Sequence, residues 1–342
     1  MAFIFVPRAQ VSAGRIADVL ETEPVIADPA QPVKLPAETP GQKRGRVEFT
    51  DVSFSYEGGE APALEQISFV AEAGKTTAFF GSTGSGKSTI LNLIPRFYDA
   101  SEGTVLFDGV DVRDLAIHDL RGRIGYVPQK SLLMSGTVGE NISFGNPKMT
   151  PEDIEKAAEV AQALDFISKL NVADEISAHE TSADEAQAGE PGGETAGDVT
   201  AGDETAGDET TDETASGFDF EIAQGGTNVS GGQRQRLAIA RALAVDPEVY
   251  LFDDSFSALD FATDAALRKA LAASTRGATL IIVAQRVSTI MDAQRIYVVD
   301  EGRIVAEGTH CELLRTCPQY REVAETQLSP EMIAATLGGD AQ

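Results

Sequence analysis

The sequence predicts an α/β fold centred on a strand that runs directly into a glycine-rich loop and a helix. Three stretches carry that expectation. TTAFF at 76–80 is a short apolar strand, and GSTGSGKST at 81–89 follows it without a break. After the loop, Ile90, Leu93, Ile94 and Phe97 fall at helical spacing. YLFDD at 250–254 is a second apolar run, ending in two adjacent carboxylates.

The 342 residues, 42% of them apolar, are enough for one large or two modest cores. A formal charge of -27 argues against intrinsic nucleic-acid binding, which needs clustered Lys and Arg. Cys311 and Cys317 are the two cysteines, with no second Cys or His cluster beside them. Neither a metal centre nor a disulfide framework is expected, and a reduced cytosolic compartment fits. MAFIFV at the N-terminus is far shorter than the roughly 20 residues of a membrane helix, and it lacks a basic n-region and a cleavage site. As given, the chain is not expected to cross a membrane.

Residues 23–45 are rich in Pro and Ala and read as a linker. VEFTDVSFSY then places Val52, Phe54 and Tyr56 on one face of a strand. From Asn171 to Gly217 there are fourteen Asp or Glu and no Lys or Arg, and TAGDV, TAGDE and TAGDE follow one another from Thr195 to Glu209. So polar a tract buries too little apolar area to offset the entropy of ordering it, which makes a disordered insertion the expectation. A regulatory docking element is the alternative. The folded unit is thus 46–327, interrupted at 171–217, with 328–342 as a tail.

The glycine-rich loop has the composition of a phosphate cradle. Gly81, Gly84 and Gly86 let backbone N–H groups turn inward, and the following helix N-terminus adds partial positive charge. Lys87 can reach the β- and γ-phosphates of ATP or GTP, and the Ser88 hydroxyl can ligate Mg²⁺. Ser82, Thr83, Ser85 and Thr89 complete the nucleotide-contacting run. A third pattern, NVSGGQRQRLAIARAL at 228–243, sets a Ser-Gly-Gly turn before a helix with Leu237, Ala240 and Ala244 on one side. Alone, that turn would be only a flexible helix cap.

Taken together these stretches resemble the nucleotide-binding domain of ATP-binding cassette (ABC) transporters, over nearly all of 46–327 except the insertion. Ser230, Gly231, Gly232 and Gln233 match the signature motif, with Val229 replacing the usual leucine; Gln129 in YVPQ matches the Q-loop. Asp253 matches the Walker B aspartate, and SALD, ending at Asp260, matches the D-loop. The resemblance implies a P-loop NTPase of the ABC type: a mixed β-sheet core with helices, a helical subdomain carrying the signature motif and an antiparallel β subdomain. It implies ATP and Mg²⁺, with Ser88, Gln129 and Asp253 at the metal. Tyr56 takes the place of the base-stacking aromatic, although its alternation with Phe54 equally permits a core tyrosine.

Several stretches resemble the exporter type. LLMSGTVGENISFG at 132–145 is similar to the segment that receives the coupling helices of a membrane domain. FVPRAQVSAGRIADVLE, within 1–22, is similar to the end of an exporter's last membrane helix and its elbow; a plain amphipathic helix is the alternative. The resemblance therefore implies association with a transmembrane domain at the cytoplasmic face of the cell membrane, with the membrane helices that should precede Met1 truncated or encoded elsewhere.

The catalytic positions depart from the family pattern. Where active members have a glutamate and a histidine, this chain has Asp254 and Gln285. With Lys87 these are the candidate catalytic residues. A shorter carboxylate and an amide that cannot become an imidazolium imply a site that binds ATP and hydrolyses it poorly. The near-intact signature would serve the ATP of a second ABC subunit in a head-to-tail dimer, the pattern of the degenerate subunit of heterodimeric exporters. A soluble ABC ATPase of repair or translation, and a purely regulatory ATP-binding module, are the alternatives.

Overall fold

This computed structural model describes residues 2–36, 43–59, 61–144, 146, 148–170 and 217–338. Most of the expected insertion, 171–216, lies outside the described residues; Gly217 opens a 3-10 turn. A 19-residue helix, α1 (Ala2–Leu20), comes first, with Val11, Ile16, Val19 and Leu20 exposed. No described helix is long and apolar enough to cross a membrane.

Two sheets organise the remainder. β1 (Val47–Phe54), β2 (Leu64–Ala71), β4 (Glu102–Phe107) and β5 (Val110–Asp111) form an antiparallel sheet in the order β2-β1-β4-β5. The second sheet has the order β12-β11-β3-β10-β9-β6. Its members are β3 (Thr76–Phe80), β6 (Ile124–Val127), β9 (Val249–Asp253), β10 (Thr279–Ala284), β11 (Arg295–Asp300) and β12 (Arg303–Gly308). All of its pairings are parallel except that of β12 with β11.

Side-chain alternation in this mixed sheet sorts the apolar residues into two cores. Ala78, Phe80, Tyr250, Phe252, Ile282 and Val298 face one, with Leu237, Ile239 and Ala240 of α7 (Gly231–Ala244). Phe79, Val249, Leu251, Ile281, Val283 and Val299 face the other, which also holds the inner face of the antiparallel sheet and Ile90, Leu91 and Leu93 of α2 (Lys87–Leu93). The apolar runs predicted as strands are continuous, not alternating, because both faces of the sheet are covered.

Smaller elements complete the chain. α3 (Ile117–Arg121) precedes β6; β7 (Gly136–Thr137) pairs with β8 (Glu221–Ile222); and α4 (Val138–Ser143), α5 (Pro151–Val160) and α6 (Leu164–Ile167) pack beside α7 on the first core. Thr137 and Thr150 each close a capping box with the acid three residues on, Glu140 and Asp153, which sets where α4 and α5 start. α8 (Phe261–Ser274), α9 (Val287–Ile290), α10 (His310–Thr316) and α11 (Pro318–Gln327) cover the same face.

Four local expectations change. Tyr56 lies beyond β1, whose pairings shift register around Asp51, a residue with φ +48°, so the simple alternation ends at Phe54. The helix after the glycine-rich loop stops at Leu93, and Phe97 is part-exposed under the Arg121 guanidinium. The linker is pinned along its first part: Val33 N–H donates to Asp114 O (2.8 Å), and Ile117 N–H to Asp28 Oδ1 (2.7 Å). Finally, 330–338 of the expected tail is a helix, α12 (Pro330–Gly338), whose Ile333 and Leu337 pack on the first core.

Candidate nucleotide site

Four parallel strands bring the candidate residues to one edge of the mixed sheet, the carboxyl edge where open α/β sheets take their ligands. β3 leads into the glycine-rich loop, β9 ends at Asp253 with Asp254 next, β10 stops just before Gln285, and β6 two residues short of Gln129. Neighbouring positions align across the edge: Ala284 is level with Phe80, and Val283 with Asp253.

The loop geometry requires glycine at two close approaches. A Cβ on Gly81 would lie 2.0 Å from Val299 O; one on Gly86, at φ +100°, would lie 2.7 Å from Leu64 Cδ2 and 2.8 Å from Ala63 O. Ser82, Thr83 and Gly84 form the exposed tip. Lys87 is 6% exposed, and its ammonium donates to Ser82 O (2.5 Å) and Ser85 Oγ (3.1 Å). The ammonium is thus held inside the loop, bonded to the loop's own oxygens where phosphate oxygens would compete. Burial pushes its pKa down, against the raising effect of Asp253 and Asp254.

Ser88 Oγ donates to Asp253 Oδ1 at 2.9 Å. One carboxylate, one hydroxyl and the Gln129 amide oxygen suit Mg²⁺, which is commonly held by one or two carboxylates plus substrate phosphates. Among the described residues there is no larger cluster of three or more His, Cys, Asp or Glu that could hold a metal. Bound there, Mg²⁺ would supply charge neutralisation for the phosphates, while Ser88 and Asp253 oriented it.

Asp254 sits in the left-handed region at φ +45°, its N–H donating to Val283 O (2.9 Å) and its C=O accepting from Ser257 Oγ (2.8 Å). Its Oδ2 accepts from Gln285 Nε2 at 3.3 Å and, more weakly, from Gln129 Nε2 at 3.5 Å. Asp253 and Asp254 are both raised above the usual carboxylate range, in each case chiefly by burial. An ionised Asp254 therefore costs the apo fold stability at neutral pH, and the cost vanishes as pH falls below the ordinary aspartate value. Asp254→Asn, which tolerates the same backbone, is expected to raise the apo Tm by about 2–4 °C at neutral pH. Thermal scans at neutral and acidic pH check it: the gain should shrink on acidification.

Tyr56 is 39% exposed, and its hydroxyl pairs with Thr89 Oγ1 at 3.1 Å. It meets Phe54 and Tyr98 edge to face, at 4.8 and 5.2 Å between centroids. It is a half-open aromatic beside α2, not a core tyrosine.

Other candidates lie apart from the loop. Ser230 and Gln233 close a capping box on α7: Ser230 N–H donates to Gln233 Oε1 (2.8 Å) and Gln233 N–H to Ser230 Oγ (3.3 Å). Gly231 and Gly232 form the first turn, with Gly232 against Ala258 O and Leu259. Asp260 caps α8 by accepting from Thr263 N–H at 3.0 Å. Among the described residues no hydrogen bond joins 230–233 to 81–89; the polar groups of the signature turn are engaged within their own capping box.

The profile of the ABC transporter family matches residues 64–257. The chain belongs to the ABC transporter family. A Mycobacterium tuberculosis (strain H37Rv) protein named as an uncharacterised ABC transporter ATP-binding protein is 40% identical over 342 residues, covering 99% of this chain and 50% of its own length. A Staphylococcus aureus (strain NCTC 8325) protein, named as a candidate multidrug export ATP-binding/permease protein, is 36% identical over 298 residues, 87% of this chain and 43% of that one. A solved bacterial Atm1-family ABC exporter with ATP bound superposes with a TM-score of 0.75 at 29% identity, covering 96% of this chain and 49% of its own. The chain spans about half the length of the relatives it matches. The ABC-type P-loop NTPase fold expected from the sequence is thus the observed one.

Sequence reasoning passed over some residues that shape this ABC site. Arg286 Nη2 donates to Ser257 O at 3.2 Å, tying the residue after Gln285 to the segment after Asp254. Ser131 Oγ donates to Gln235 Oε1 at 2.6 Å, linking the Q-loop to α7. Arg286 adjoins a candidate, which is a signal of a kind. The Ser131–Gln235 pair is 104 residues apart and had none.

Proposed function

We propose that the chain is the ATP-binding portion of an ABC exporter, with Mg-ATP bound between its own phosphate loop and the signature turn of a second ABC subunit in a head-to-tail dimer. Binding and hydrolysis in that dimer drive substrate export through a transmembrane domain, and this portion works at the cytoplasmic face of the membrane. Its own site hydrolyses slowly, and Ser230–Gln233 complete the site of a partner whose catalytic residues are complementary.

One observation carries the slow-site reading. The carboxylate that follows Asp253 is a short Asp254 whose Oδ2 is engaged by the Gln285 amide. An amide there can donate a hydrogen bond but cannot carry the charge that would offset growing negative charge on transferring phosphate. The dimer reading is supported by the Ser230 cap and the two glycines that open α7, a helix start whose N-terminal N–H groups suit a phosphate from another chain. Leu132, Met134 and Phe144 are exposed around α4, an apolar patch suited to the coupling helices of a membrane domain.

Mutagenesis in the assembled two-subunit transporter tests the asymmetry. Ser230→Ala is expected to slow total ATP hydrolysis on the order of tenfold, because it acts at the competent site, whereas Asp254→Asn changes it less than about twofold. Equal losses from the two variants would make Asp254 a working catalytic base and overturn the slow-site reading.

A further inference from the structure

The loop after β10 is tied down at three successive residues. Gln285 Nε2 reaches Asp254 Oδ2, and Arg286 Nη2 reaches Ser257 O. The third tie comes from Gln327, the last residue of α11, 42 positions from Gln285. Its side-chain amide bridges the peptide groups on either side of Arg286: Nε2 donates to Gln285 O at 3.1 Å, and Oε1 accepts from Val287 N–H at 2.8 Å.

This bridge supplies what the local sequence lacks. Val287 is the first residue of α9, so its N–H has no partner within the helix, and Arg286 at the N-cap makes no side-chain cap hydrogen bond. A neutral carboxamide offers a donor and an acceptor on one rigid plane, which lets Gln327 pair with backbone much as a neighbouring strand would. The clamp has a firm base. Tyr320 of α11 is fully buried and meets Phe80, the residue before Gly81, edge to face at 5.1 Å. Ala324 is also fully buried, and Leu328 N–H donates to Ala324 O at 2.8 Å, closing the last turn.

We infer that Gln327 is a positioning residue of the nucleotide site: by fixing the peptides flanking Arg286, it aims Gln285 at Asp254 and Arg286 at the Ser257 carbonyl. Through Tyr320 and Phe80 it refers both side chains to the strand that carries the phosphate loop. Its effect on hydrolysis rests on the nucleotide-site reading above; its effect on the loop does not. Releasing the clamp lets the Gln285 peptide rotate, and displacements of about 1 Å at reacting groups cost up to about 10²-fold in rate.

The test uses the full chain and two substitutions. Gln327→Met removes donor and acceptor at similar volume; Gln327→Glu keeps an acceptor for Val287 N–H but cannot donate to Gln285 O. Amide hydrogen exchange at Val287 is expected to quicken about tenfold in Gln327→Met and to stay near the parent rate in Gln327→Glu. In a dimer of this chain alone, where only the slow residual turnover of its own site is read, steady-state hydrolysis should show that kcat down about fivefold or more in Gln327→Met, with KM for Mg-ATP within about twofold. Leu314→Ala, a core truncation in α10, controls for stability: it should lower Tm while leaving Val287 exchange and kcat unchanged well below that Tm. Unchanged Val287 exchange in Gln327→Met overturns the clamp. Faster exchange with unchanged kcat overturns its positioning role. A parent chain that binds no Mg-ATP removes the nucleotide reading instead, and Val287 protection still reports on Gln327.

Discussion

Lys87→Met is expected to weaken Mg-ATP binding roughly hundredfold, about 2.8 kcal/mol, while leaving the apo chain close to its parent in stability. Lys87 is the single Lys or Arg of 81–89, and its bonds to Ser82 O and Ser85 Oγ place the ammonium where β- and γ-phosphate oxygens would replace those partners. Charge-assisted hydrogen bonds to phosphate are the strong ones, and a methionine stem keeps the packing but none of the donors. In the apo chain the balance differs. Burial lowers the Lys87 pKa despite Asp253 and Asp254, so the charged lysine costs folding stability below its ordinary pKa, and stability rises with pH only as it deprotonates. Removing the charge offsets the loss of the two loop hydrogen bonds. Calorimetric titration with Mg-ATP, paired with thermal unfolding of the apo protein, checks both halves. Parent-like affinity in the variant would remove Lys87 from the binding site; a collapse in apo Tm would make it a structural lysine.

The double change Asp254→Glu with Gln285→His is expected to raise ATP turnover by about 10- to 100-fold in a dimer of this chain with the proposed head-to-tail arrangement, in which each signature turn would face the other protomer's nucleotide. The structure sharpens the reason. Asp254 cannot move forward to recover its missing methylene, roughly 1.5 Å, because its N–H is held by Val283 O and its C=O by Ser257 Oγ. Glutamate supplies the reach from the same backbone. Histidine in place of Gln285 adds a group that can become cationic beside the γ-phosphate. The left-handed backbone at φ +45° suits aspartate better than glutamate, so the double variant should also be less stable by about 1 kcal/mol. Turnover measured with Lys87→Met as the background, at concentrations that populate the dimer, decides the matter. Rapid hydrolysis by the unmodified chain, or none gained by the double variant, would show that these two positions do not limit the site.

The site was legible wherever its chemistry is contiguous along the chain. A strand, six loop residues and a lysine at the start of a helix form one local unit, and Asp253 with Asp254 closes another, so spacing alone placed them at strand ends. The capped turn at Ser230 was legible for the same reason: a capping box spans three residues. Legibility failed where a partner is remote. Tyr56 was ambiguous until Thr89, 33 positions on, accounted for its hydroxyl. The helix at 330–338 read as a tail because its packing partners, not its own pattern, partly bury Ile333 and Leu337.

The sequence by itself determined the glycine-rich phosphate loop and the paired carboxylates, because each is written in residue type and short-range spacing; the signature reading of the Ser230 turn and the departures at Asp254 and Gln285 came from resemblance to the family pattern. Only the tertiary structure decided that β3, β6, β9 and β10 lie side by side and parallel, so that Gly81, Gln129, Asp254 and Gln285 meet at one edge. It also decided which amide holds the loop after β10. Strand order and the Gln327 bridge arise from burying two faces of one sheet at once, and that constraint couples residues tens to hundreds of positions apart without marking any of them locally.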